Sequence, residues 1–160
     1  MGTKLNTSKA VNITQIFSEC GISHLSELDF LGVNTSTNSY MNNVFDGSKA
    51  LIWIEKIVTS QAMTYNNWFK NCTALEHVIF DGEIGNDISF ADSKKLDKAS
   101  IESIVNTLSG SVTGKTVTLS KTAIKNEFGI EISVDADIPT DNEFYDLRWS
   151  KANWSFSYSA

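Results

Sequence analysis

The chain has 160 residues, enough for one domain or one repeat array with a terminal cap, and its 41% hydrophobic and 20% charged content excludes a disordered polymer. A formal charge of −6, with Lys and Arg scattered rather than gathered in a stripe, argues against a phosphate-backbone reader, so no nucleic-acid partner is expected. There is no run of about 18 apolar residues, hence no transmembrane helix and no expected membrane insertion.

Residues 1–11 read as a lead-in. A repeated pattern comes next: Thr14–Cys20 with Leu25–Phe30, then Asn42–Ile54, then Asn66–Phe80. The shared skeleton is Phe, then Cys or Ser three residues later, then Leu-x-x-aliphatic. Phe17, Phe45 and Phe69 recur at intervals within the ~20–29 residues of leucine-rich repeats. In each unit the Phe part suits a short helical turn with the ring inward, and the Leu part suits a short strand with alternate residues buried. Asn-rich joints such as residues 32–36 read as turns. Two departures stand out. Lys56 occupies the place of Phe30 and Phe80, which shifts the middle strand toward Ile57, and Ser48 replaces a cysteine.

Beyond Phe80 the rhythm changes. Asp81–Asp87 is turn-rich and Ile88–Phe90 a short strand. Ala99–Leu108 is an amphipathic helix with Ser100 as a candidate cap, an apolar face of Ile101, Ile104, Val105 and Leu108, and Gly110 at its end. Thr116–Leu119 reads as a strand and Lys121–Phe128 as a helix closed by Gly129. After Pro139, Asp141–Lys151 is a further helix with Phe144, Leu147 and either Arg148 or Trp149 inward. The alternation Trp154–Tyr158 is a half-exposed strand. The expected division is residues 1–90 as repeats and 91–160 as a capping region.

Cys20 and Cys72 share one repeat position with Ser48 between them. Two strand spacings put their Cα atoms ~10 Å apart, beyond the ~7 Å limit of a disulfide. Free, buried thiols are expected. With His24 and His77 the cysteines do not match the short paired spacing of a zinc module, so no metal is expected. Gly110–Thr116 imitates a P-loop, but has three residues between its glycines and sits between helix and strand in the inverted order, so it reads as a turn. Asp135, Asp137 and Asp141 lack EF-hand spacing and read as a solvated loop. No nucleophile–base motif is present, so no catalytic residue is assigned.

The remaining candidate is the outer face of the repeat strands. With Leu25, Leu28, Phe30 and their counterparts inward, the outward ladder is Glu27, Trp53 and His77 on one rung and Asp29, Glu55 and Ile79 on the next. An exposed Trp amid acids suits sugar stacking or a protein hot spot. The competing reading has Trp53 covered by a loop, or drawn into the core by the shift at Lys56.

The pattern Phe69-x-x-Cys72-x-x-Leu75-x-x-Val78-x-Phe80 resembles the BspA-like subclass of leucine-rich repeats, found in bacterial surface proteins and in tail- or baseplate-associated proteins of gut phages. Phe80–Asn86, Lys98–Val105, Val112–Ala123 and Ser150–Ser155 are similar to the C-terminal segment of that family. The resemblance implies an α/β leucine-rich-repeat solenoid of about three short coils with a C-terminal cap of helices and strands. It also implies a non-enzymatic recognition or adhesion module that needs no cofactor, displayed extracellularly, on a cell surface or on a virion. Its expected partners are a host or bacterial surface protein or glycan, and other subunits of a phage tail or surface assembly. The alternative is a purely structural spacer or cap of a larger surface or tail protein.

Overall fold

The computed structural model describes residues 5–6, 10, 12–31 and 41–160. The expected turn at 32–36 and most of the lead-in at 1–11 lie outside them.

Two parallel sheets organise the described residues. The first has β1 (Leu5–Asn6), β2 (His24–Asp29), β3 (Trp53–Val58) and β4 (His77–Asp81) in sequence order. The second has β5 (Ile88–Ser89), β6 (Lys115–Ser120) and β7 (Trp154–Ser159). Three α-helices are described: α1 (Lys98–Thr107), α2 (Lys121–Phe128) and α3 (Glu143–Trp149). Parallel strands need crossovers, and here the Phe-bearing turns supply those between β2, β3 and β4.

Those turns stack. The rings of Phe17, Phe45, Phe69 and Phe90 succeed one another at 5.5, 5.3 and 4.6 Å between centroids, nearly parallel. Their backbones form a second ladder: Phe17 N–H donates to Val44 O at 2.9 Å and Phe45 N–H to Trp68 O at 3.0 Å. On either side of Phe17, Phe45 and Phe69 the chain turns through the left-handed region, at Gln15, Asn43 and Asn67 before the ring and at Glu19, Gly47 and Asn71 after it. Phe45, Phe69 and Phe90 are fully buried in a hydrophobic cluster that reaches from Ile13 to Trp154.

The expected leucine-rich-repeat solenoid with a C-terminal lid is corrected by this architecture: the chain is a small α/β domain, with two parallel sheets and three α-helices among the described residues. The physical reason lies after Phe90. Phe90, Ser93 and Leu96 repeat the Phe-x-x-Ser-x-x-Leu spacing, and the Phe90 ring joins the stack. The next segment, however, is apolar at Ile101, Ile104, Val105 and Leu108, a helical period, so it forms α1 and adds no fifth strand to the first sheet among the described residues. Ile88 instead pairs with Val117 and starts a separate sheet, whose β6 runs alongside β7 over Lys115–Ser120.

Helix α1 also closes the edge of the first sheet. Val78 N–H donates to Ser100 Oγ at 2.8 Å and Phe80 N–H to Ser103 Oγ at 2.9 Å, so side-chain hydroxyls take the place of a neighbouring strand. The helix cap is Asp97, one turn earlier than the Ser100 cap expected: its Oδ1 accepts from Ser100 N at 2.8 Å.

Elsewhere several local expectations hold. Helix α2 ends at Gly129 with φ 71. In α3, shorter than expected, Phe144 and Arg148 are buried while Trp149 is exposed. Residues 108–114 join helix α1 to strand β6, the turn expected in place of a P-loop. Both cysteines are free; Cys72 is buried and Cys20 half-buried, with Ser48 Oγ 3.6 Å from Cys20 Sγ. Burial pushes the Cys72 thiol up to about 12. The acidic cluster is not all solvated: Asp135 pairs with the buried Arg148 and accepts a hydrogen bond from Tyr158.

Candidate functional site

The outer face of the first sheet is set by strand alternation and one irregularity. Leu25, Ile54 and Val78 align across β2, β3 and β4, and Leu28, Ile57 and Phe80 form the next inward row. Between these rows β2 carries Ser26 and Glu27 and β3 carries Glu55 and Lys56, whereas β4 carries Ile79 alone. The extra residue is a bulge, and it turns Lys56 outward while Ile57 takes the core position, as the sequence shift at Lys56 anticipated.

Lys56 then bridges neighbouring strands. Its Nζ lies 3.4 Å from Glu27 Oε2 on one side and 3.5 Å from Asp81 Oδ2 on the other. Trp53 is outward and 39% exposed, so neither a covering loop nor the register shift hides it. One face of its indole stacks on the His77 imidazole, with centroids 3.7 Å apart and planes 11° from parallel.

His77 is held in turn. Its Nδ1–H donates to Asp97 Oδ2 at 2.7 Å, while Asp97 Oδ1 accepts from Ser100 N at 2.8 Å and from Ser100 Oγ at 2.6 Å. Partial burial raises the Asp97 carboxyl, but the Ser100 and His77 hydrogen bonds outweigh it and hold its pKa below the usual carboxylate value. The carboxylate sits between imidazole and hydroxyl, so the chain Ser100–Asp97–His77–Trp53 locks two rings in place and sets no hydroxyl against the imidazole. Donation from Nδ1 leaves His77 Nε2 as the ring's other polar atom.

All six residues chosen from the sequence lie at the outer face, but the rungs differ from those expected. Trp53 does pair with His77, yet its partner on β2 is His24, not Glu27. Glu27 stands opposite Lys56 and Asp29 opposite Val58, which faces Asp81. Glu55 is exposed beside the bulge and Ile79 half-buried opposite it. Sequence reasoning missed Asp97, Lys56 and His24 as members of this face. The Phe90-x-x-Ser93-x-x-Leu96 spacing could have revealed Asp97, since it puts a fourth unit directly after β4.

Among the described residues no group of three or more His, Cys, Asp or Glu side chains could hold a metal ion. No helix among them is long and apolar enough to cross a membrane. No protein-family model, curated protein or solved structure matches the chain.

Proposed function

We propose that the protein is a non-enzymatic recognition or adhesion module whose contact surface is the outer face of the first sheet, centred on Trp53. The supporting observation is the indole itself: 39% exposed, backed by His77 and fixed through Asp97 and Ser100. An aromatic surface that is already immobile loses little conformational entropy on binding. A large amphipathic ring of this kind is the usual anchor of a hot spot or a sugar-stacking platform. The surrounding Glu27, Asp29, Glu55 and Asp81, bridged in part by Lys56, form a polar rim.

The sequence resemblance to BspA-like surface and phage-tail proteins supports display outside the cell or on a virion, against a host or bacterial surface protein or glycan. The test is a glycan-array and host-cell binding assay with Trp53→Ala beside the native chain. A cell type or glycan whose binding disappears in the variant while circular dichroism is unchanged supports this reading. Undiminished binding in the variant to every cell and glycan that the native chain binds moves the site away from Trp53, and absence of binding to every cell and glycan favours a structural spacer.

A further inference from the structure

A second surface, which shares no residue with the Trp53 face, carries chemistry that Trp53 does not use. A groove of about 600 Å³ lies where the stacked turns meet the second sheet; Asn42, Asn66 and Asn67 line it from the turns, and Asp87, Thr116 and Thr118 from the region of β5 and β6. Its asparagines are not free rotors. Asn66 Nδ2 donates to Asn42 Oδ1 and Asn67 Nδ2 to Asn43 Oδ1, both at 3.1 Å. Each pair thereby presents one NH2 group and one carbonyl oxygen with no further partner among the described residues.

The backbone beneath them is fixed as well. Asn43 and Asn67 both adopt left-handed φ, 57° and 54°, and Asn43 N–H donates to Asn66 O at 2.9 Å. The threonine side is fixed by sheet pairing, since Thr118 stands opposite Ser89 and Ser157 in neighbouring strands. Thr116 N–H donates to Asp87 Oδ1 at 2.7 Å, which engages the one charged side chain among the described residues that line the groove.

We infer that this groove binds a neutral oligosaccharide chain. Its walls are mostly amides and hydroxyls, with Tyr65 and Ile88 beside them, and these polar groups pair with sugar hydroxyls as both donors and acceptors. No Lys or Arg to attract phosphate or sulfate is among the described residues that line it, and Asp87 disfavours anions. Successive turns advance by about one strand spacing, ~4.8 Å, roughly the rise of one sugar in an extended polysaccharide. The inference is independent of Trp53.

The test uses the full, 15N-labelled chain titrated with three neutral hexasaccharides: β-1,4-glucose, α-1,4-glucose and β-1,4-N-acetylglucosamine. At least one is expected to shift the side-chain NH2 resonances of Asn42, Asn43, Asn66 and Asn67 saturably. The shifts should persist at about 1 M NaCl, where charge–charge attraction is screened beyond ~3 Å. Thr118→Val, nearly isosteric and strand-favouring, and Asn66→Ala, at an exposed side chain, should each weaken binding by up to about tenfold. Trp53→Ala should leave the affinity unchanged. The inference is overturned if no hexasaccharide moves these amides, if both groove variants bind as the native chain does, or if the response is lost with Trp53→Ala. A salt-sensitive response of the same amides to a charged peptide, with none to the sugars, also overturns it.

Discussion

Replacing Ser100 by Ala tests the most specific packing device in the fold, the closure of a sheet edge by helix hydroxyls. Ser100 and Val78 are both fully buried, and the Ser100 Oγ accepts the Val78 N–H at 2.8 Å while donating to Asp97 Oδ1 at 2.6 Å. Removing the hydroxyl leaves the Val78 N–H without a partner in a site closed to water. Stranding a buried backbone donor costs about 1–3 kcal/mol. Asp97 keeps its bonds to His77 and to Ser100 N–H, so the helix cap survives and the loss is confined to the sheet edge.

An expected destabilisation of about 2 kcal/mol lowers the Tm by roughly 4–8 °C in a chain of this size. In urea the midpoint should fall with the m-value unchanged, because the surface exposed on unfolding is the same. The Val78 amide should exchange with solvent faster than its neighbours on β4 under native conditions. Ser103→Ala is the companion, with the weaker effect of about 1 kcal/mol expected at a half-buried hydroxyl. Stability of Ser100→Ala within about 0.5 kcal/mol of the native chain, the range of an ordinary surface change, would refute the reasoning.

Four further outcomes are expected. Partial burial raises the Asp135 carboxyl, but Arg148 and Tyr158 outweigh it and set its folded pKa below the usual value. Its stabilisation is therefore complete above the unfolded pKa of ~3.9 and lost as pH falls through the folded one, so Asp135→Asn should flatten the acid limb of the stability profile. Arg148→Met strands a carboxylate that is 32% exposed and should cost about 2–3 kcal/mol by urea denaturation, less than the ~3–5 of a fully buried pair. Gly82 has φ 111 and an added Cβ would meet Thr59 O at 2.2 Å, so Gly82→Ala should lose more than about 2 kcal/mol in the same assay. With its thiol pushed up to about 12 by burial, Cys72 should resist iodoacetamide in the native chain at neutral pH and react on unfolding, as followed by mass spectrometry.

The stacked turns were legible in the sequence because one large ring per unit, at a steady interval, has no local purpose. Phe17, Phe45 and Phe69 stack ring on ring only if consecutive units lie against one another. The fold class was not legible from the same signal. A repeat states that neighbours stack, but the end of the sheet depends on the residues beyond the fourth ring, and there a 3.6-residue period at Ile101, Ile104 and Leu108 replaces alternation. The second sheet was hidden further, since β5 contributes only Ile88 and Ser89 and its partners lie far along the chain.

The outer face shows how a single missing residue misdirects such a reading. Phe17 pairs with Val44 and Phe45 with Trp68 on the turn ladder, yet Ser23 O receives both Ile52 N–H and Trp53 N–H, so the first unit has lost one residue between its ring and its strand. Ile22, though exposed, consequently stands in register with the buried Leu51 and Leu75, whereas the Leu-x-x-Leu spacing points to Leu25 as the start. Aligning on Leu25 slides β2 by three residues and sets Glu27 beside Trp53, where the backbone sets His24. Trp53 and His77 were correctly paired because no residue is gained or lost between them and their own rings. Hydrophobic spacing therefore identifies which residues face outward, whereas the backbone ladder decides which of them meet, and a binding surface depends on the second.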